Sequence, residues 1–181
     1  MNITLYGAAS DKIDDVYKKE VGELGREIAR RGHTMVFGAG ATGLMGAAAR
    51  AVREEGGGLI GVTPHFMHEF EPIFDGCTQL IDTETMSERK DKMEQLANAF
   101  VIVPGGIGTF DEFFQILTLK YLRRFDKPIV LFNVCNFWDN LLAVIGADIF
   151  KGFIAPGVAE CFKVCESPKS VIDTLEEIVG K

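Results

Sequence analysis

The sequence predicts an α/β fold, a doubly wound and mostly parallel sheet with helices on both faces. Short apolar runs alternate with longer amphipathic ones along the whole chain. The apolar runs are continuous rather than alternating, the pattern of strands covered on both sides. Two glycine-rich loops each follow such a run and open a helical pattern. The length of 181 residues fits a single domain over 1–181, with no linker, repeat or low-complexity segment.

The elements follow in order. NITLY (2–6) reads as a buried strand ended by Gly7. Residues 12–31 read as a helix, with Ile13, Val16, Val21, Leu24 and Ile28 spaced for one face and Gly32 placed to stop it. TMVF (34–37) is the second strand, broken by GAGATG, and 44–55 is an alanine-rich helix suited to close packing. GLIGV (58–62) is a third strand, followed by an irregular aromatic stretch over 64–77 and a candidate strand TQLI (78–81). A charged helix over 87–97 leads into the apolar strand AFVIV (99–103). PGGIG then opens a helix over 109–124. PIVLF (128–132) is a strand, 137–150 a helix, 161–164 a short strand, and a last helix starts at Pro168. Right-handed crossovers wind such a chain into a Rossmann-like domain whose crevice lies at the carboxyl ends of the strands.

Composition narrows the function. Lys and Arg number 19 against 26 Asp and Glu, a formal charge of −7, which disfavours nucleic acid as a partner. No apolar run reaches the roughly 18 residues that a membrane span needs, and MNITLYGAAS lacks the form of a signal peptide. A cytoplasmic protein with no membrane partner is expected. Cys77, Cys135, Cys161 and Cys165 form no CxxC pair and read as reduced thiols. His65 and His68 could share a helix face, but two ligands alone make a weak metal site. They read as solvated loop histidines, and no metal or cofactor is expected.

The glycine loops carry the chemistry. Gly38-Ala39-Gly40-Ala41-Thr42-Gly43 matches G-x-G-x-x-G, but it does not follow the first strand, and the next strand, GLIGVTP, ends in no ribose-binding acid. That makes a dinucleotide site weak, and a dinucleotide oxidoreductase fails on the missing acid, while a plain tight turn with close helix packing accounts for the glycines equally well. Pro104-Gly105-Gly106-Ile107-Gly108-Thr109 lets backbone approach an anion at a helix N-terminus. Thr109 is placed to cap that helix. Asp111 and Glu112 fall in its first turn, where Asp111 reads as a complement to the dipole and Glu112 could reach the ribose of a nucleotide whose phosphate the loop holds.

PGGIGTFDE resembles the PGGxGTxxE motif of the Lonely Guy family, the cytokinin riboside 5′-monophosphate phosphoribohydrolases, many of them labelled lysine decarboxylase-like. Met86-Ser87-Glu88-Arg89-Lys90 with Met93 resembles the family's M-x-x-R-K-x-x-M, and GAGATGLMG (38–46) its GGGxxGLMG, in the family order. The resemblance covers nearly the whole chain. It implies hydrolysis of the N-glycosidic bond of an adenosine-type 5′-monophosphate to free base and ribose 5-phosphate. Arg89 and Glu112 would be the catalytic pair. Gly105, Gly106, Ile107, Gly108 and Thr109 would line the phosphate and ribose site, with Lys90 adding positive charge. Ser10, Gly43, Glu71, Met86 and Thr118 would bind substrate as well, Glu71 and Met86 near the base. A homodimer with its sites near the interface is implied, and the apolar helix stretch with Phe113, Phe114, Leu117 and Tyr121 could serve there, or as core.

A carboxylate beside the sugar suits an oxocarbenium-like state, and an arginine that stays charged suits positioning and electrostatics rather than acid catalysis. From spacing alone Arg89 reads as a surface residue in the charge run SERKDK. Ala39 stands where the family usually has Gly, GAAS (7–10) where it often has CGSS, and Leu119 where it often has Trp. The competing reading is a non-catalytic nucleotide or molybdenum-cofactor carrier, which does not need both Arg89 and Glu112. A pyridoxal-dependent decarboxylase would need a larger fold and a Schiff-base lysine in a dedicated site, and the chain signals neither.

Overall fold

The computed structural model describes residues 1–180. Its strands are β1 (Asn2–Tyr6), β2 (Thr34–Phe37), β3 (Gly58–Pro64), β4 (Gln79–Thr83), β5 (Ala99–Ile102), β6 (Ile129–Phe132) and β7 (Lys163–Cys165). Its helices are α1 (Asp15–Arg30), α2 (Gly43–Glu54), α3 (Met86–Leu96), α4 (Ile107–Tyr121), α5 (Asp139–Phe150) and α6 (Pro168–Val179). The strands form one parallel sheet in the order β4-β3-β2-β1-β5-β6-β7. The chain winds outward from β1 to β4, then returns to lay β5 against the other side of β1, pairing Tyr6 with Ile102. This reversal makes the crevice beyond β1 and β5 the expected ligand position.

Successive side chains of each strand feed two cores. Ile3, Leu5, Met35, Phe37, Val101 and Val130 pack with Val21, Leu24 and Ile28 of α1, Ala48 and Val52 of α2, and Val171 and Leu175 of α6. Tyr6, Val36, Phe100, Ile102 and Leu131 pack on the opposite face with Met93 of α3, Phe113 and Ile116 of α4, and Ile145 of α5. Each such fully buried aliphatic or aromatic side chain contributes about 1.5–3 kcal/mol. Trp138 is fully buried in this second core, edge-on to Phe110 and Phe137. α1 lies tight on α2 because Gly25 has no side chain: a Cβ there would meet the Ala48 carbonyl oxygen at 2.6 Å.

Several boundaries differ from the sequence reading. α1 starts at Asp15, so Ile13 precedes it, and Val16 is exposed. β3 continues through Thr63 and Pro64. α4 begins at Ile107, two residues earlier than expected, with Gly106 as its N-cap. Thr109 is therefore a buried residue within the first turn rather than the cap, and Asp111 and Glu112 lie beyond that turn. The cause is that glycine amides, not a hydroxyl, open this helix, leaving its first N–H groups free for an outside acceptor.

Candidate active site

The loops after β1 and β5 meet at the reversal point. The Ala8 amide donates to the Pro104 carbonyl at 3.1 Å, and the amides of Leu44 and Met45 donate to the Ala8 carbonyl. Gly43, at φ +59°, fits beneath this loop because a Cβ would lie 2.5 Å from the Ala9 carbonyl carbon. The Gly43 amide donates to the Asp11 carboxylate at 2.8 Å, so the N-terminus of α2 is already occupied by an anion of the chain itself. The N-terminus of α4 is different. Gly106 and Gly108 face open space, while Gly105 packs directly against the Thr109 side chain.

A cleft of about 340 Å³ opens over that free helix end, between Ala8, Ser10, Glu71, Arg89, Gly108 and Glu112. A smaller pocket beneath it reaches Tyr6, Gly38 and Gly40. The cleft is at the small end of the range of ligand sites, about 300–1,000 Å³. Another hollow, of about 290 Å³, lies elsewhere, between Phe114, Thr118, Tyr121, Phe153 and Val158. It is apolar and contains no acid–base pair.

Arg89 and Glu112 come to the cleft from different helices. Arg89 sits in the second turn of α3 and crosses the end of the sheet, its Nε–H donating to the Val62 carbonyl at 3.3 Å. Its Nη2 reaches Glu112 Oε1 at 3.2 Å. Gly38 makes the passage possible, since a Cβ on it would coincide with the guanidinium. Glu112 is nearly buried, and that burial pushes its carboxyl up to about 7, with Arg89 pulling in the opposite direction. The Tyr6 phenol below is pushed well up, first by burial and then by the Glu112 charge.

Glu71 closes the cleft from the third side. Residues 71–74 are tied to the loop after β2, Ala41 N–H to the Pro72 carbonyl at 2.9 Å and Phe74 N–H to the Ala39 carbonyl at 2.8 Å. Burial raises the Glu71 carboxyl and the Arg89 charge lowers it. Ala39 holds this junction at φ +64°, a left-handed conformation that a residue with a side chain adopts at a cost of about 1–2 kcal/mol.

The fold thus brings Ser10, Glu71, Arg89, Gly106, Gly108, Thr109 and Glu112 around one cleft. Ile107 projects into solvent beside it and Gly105 lies behind Thr109. Lys90 turns away to pair with Asp111 at 2.9 Å, which also gives Asp111 a partner other than the helix dipole. Met86 is exposed at the start of α3, and Gly43 serves the packing of the loops. Thr118 lies in the apolar hollow of the same chain, not in the cleft. Sequence reasoning passed over Tyr6, Gly7 and Asp11. The end of the first strand beside the topological reversal was the signal that could have found Tyr6 and Gly7.

The family model described as "Possible lysine decarboxylase" matches residues 45–175. The chain is 36% identical over 170 residues to the cytokinin riboside 5′-monophosphate phosphoribohydrolase of Mycobacterium tuberculosis, covering 94% of this chain and 90% of that protein. It is 34% identical over 172 residues to the enzyme of the same name from Rhodococcoides fascians, covering 94% and 87%. Plant relatives are longer: the chain spans 67% of the rice (Oryza sativa subsp. japonica) enzyme and 66% of a second rice relative. Among solved structures, the molybdenum cofactor carrier protein of Chlamydomonas reinhardtii superimposes with a TM-score of 0.76 at 23% identity, covering 99% of this chain and 98% of that one. That likeness concerns the fold.

Proposed function

The chain belongs to the Lonely Guy family, whose model bears the lysine decarboxylase label, and on that premise we propose that it is a nucleoside 5′-monophosphate phosphoribohydrolase. It cleaves the N-glycosidic bond of adenosine or N6-substituted, cytokinin-type riboside 5′-monophosphates, releasing free base and ribose 5-phosphate. The observation that carries this reading is the nearly buried Arg89–Glu112 pair, 3.2 Å apart, set beside an uncapped helix N-terminus.

The 5′-phosphate is bound by the free amides at the start of α4, where the helix dipole favours an anion. Thr109 and Gly108 set the ribose beside Glu112. As the C1′–N bond lengthens, positive charge grows on the sugar, and the nearly buried Glu112 carboxylate stabilises it at short range. Water bonds to C1′ and gives up a proton, and the base leaves with the C1′–N electron pair and takes up one proton, so that the sum is hydrolysis. Arg89 stays charged and holds Glu112 and the sugar hydroxyls in place. Glu71 faces the base and Ser10 completes the polar surround, while Lys90, paired with Asp111, and Met86, exposed at the start of α3, stand outside the cleft.

The active form is a homodimer. Phe114, Tyr121, Leu122, Val144, Phe150 and Phe153 all lie exposed on α4, α5 and the segment that follows, an apolar surface suited to a second copy. Thr118 lies on this surface and contributes to substrate binding from across the interface. No described helix is long and apolar enough to cross a membrane, and all four cysteines are free, which supports a cytoplasmic setting.

Incubating the purified chain with adenosine 5′-monophosphate, N6-isopentenyladenosine 5′-monophosphate and unphosphorylated adenosine tests the reading. Free base is expected from both monophosphates and not from adenosine. Tight nucleotide binding with no base released would favour a carrier instead.

A further inference from the structure

We propose that His65, His68 and Asp82 form a binding site for a divalent transition-metal ion of the zinc type, outside the Arg89–Glu112 cleft. One ligand atom from each of the three lies within 4.8 Å of the others. A tetrahedral zinc ion with bonds of about 2.0–2.2 Å holds its ligand atoms about 3.4 Å apart. Exposed side chains reach that spacing by small rotations.

The backbone supplies the convergence. His65 and His68 lie in a 3-10 turn over His65–Glu69, where residues three apart eclipse one another. Their ring centroids are 5.4 Å apart. The two histidines lacked a third ligand in the linear sequence. Strand pairing provides it: Asp82 sits opposite Thr63 in the β3–β4 ladder, two residues before His65. His68 Nε2 and Asp82 Oδ1 are already 3.0 Å apart. Two imidazoles and a carboxylate suit zinc, cobalt or nickel rather than magnesium or calcium, and the exposed setting leaves a fourth position to water.

The ion staples the 65–69 turn to the edge strand. That turn leads directly to Glu71, so the site steadies the segment that carries one wall of the cleft.

The test is titration of the whole chain with cobalt chloride, read by visible absorption, and displacement of the cobalt by zinc chloride. One equivalent is expected to bind. Outer-shell changes at metal sites cost about 10–100-fold in affinity, so His65→Ala and His68→Ala, which remove direct ligands, should each cost at least about tenfold. Cys135→Ser, which removes an exposed thiol, should change nothing. Zinc should also slow amide exchange over 65–71 in the parent and not in His68→Ala. Absence of binding, binding unchanged in both histidine variants, or binding lost in Cys135→Ser would overturn the assignment. All three ligands are exposed, so the variants retain the fold, which circular dichroism checks.

Discussion

The guanidinium of Arg89 occupies the space that a methyl group on Gly38 would need. The end of β2 therefore carries no side chain where Arg89 crosses it to reach Glu112. Gly38→Ala should displace the guanidinium while leaving the β2 ladder intact. Base release from adenosine 5′-monophosphate is expected to fall at least about tenfold, since small misplacements of positioning groups are costly. Steady-state kinetics with circular dichroism on the variant checks this. Unchanged kcat/KM would mean that the position of Arg89 does not matter.

Burial raises the Glu112 carboxyl to about 7 in the folded chain, above its ordinary value of 4.5. Below 4.5 the group is protonated in both states. Between 4.5 and 7 the folded state holds the extra proton, so stability from this group declines as pH rises, and it is lost above about 7. Glu112→Gln lacks that loss. The stability of the variant relative to the parent should therefore increase between pH 5 and pH 8.5, by on the order of 1–3 kcal/mol. Urea unfolding at the two pH values measures it. If the ionised carboxylate is the catalytic form, kcat/KM should also rise through about pH 7 and level off.

The glycines that open α4 differ in what they tolerate. A Cβ on Gly105 would collide with the Thr109 side chain, whereas Gly106 and Gly108 face open space. Gly105→Ala should lower stability by about 1–3 kcal/mol. Gly108→Asp should fold normally and raise KM for the monophosphate steeply, because it sets a carboxylate at the proposed phosphate site. Thermal melts and KM values separate the two effects. A normal KM in Gly108→Asp would place the phosphate elsewhere.

How much of this could be read in the sequence depended on burial. β5 and β6 are fully apolar and buried, β1 and β2 are buried from their second residue on, and the limits of all four match the expected ones to within a residue or two. β4 is an edge strand with Gln79 and Leu80 exposed, so its residues carry little pattern and the expected strand was shifted toward Thr78. α3 buries Met93 alone, which is why spacing left Arg89 in a solvated charge run and the family motif was needed to single it out. The start of α4 was misplaced because Thr109 resembles a cap in sequence, while three glycines shift the helix entrance upstream. Glu71 is named through the family resemblance alone; what sets it at the cleft is the 39–41 tether, a contact between distant loops that no local pattern records.

The apolar surface on α4 and α5 predicts the assembly. Phe114→Asp and Phe153→Asp together should convert a dimer to a monomer, because each places a charge on an exposed apolar patch. Light scattering coupled to size exclusion gives the mass. Monophosphate KM should rise in the monomer if Thr118 acts across the interface. An unchanged dimer mass would move the interface to another face.

The most direct measurement compares nucleotide binding and base release in Glu112→Gln. The substitution keeps the size of the side chain, so adenosine 5′-monophosphate should still bind, within a few-fold of the parent by calorimetry. Base release should fall by about 10²–10³ through loss of the charge that stabilises the cationic sugar. Base release near the parental rate in that variant would contradict the account, since the buried Arg89–Glu112 pair would then not perform the chemistry.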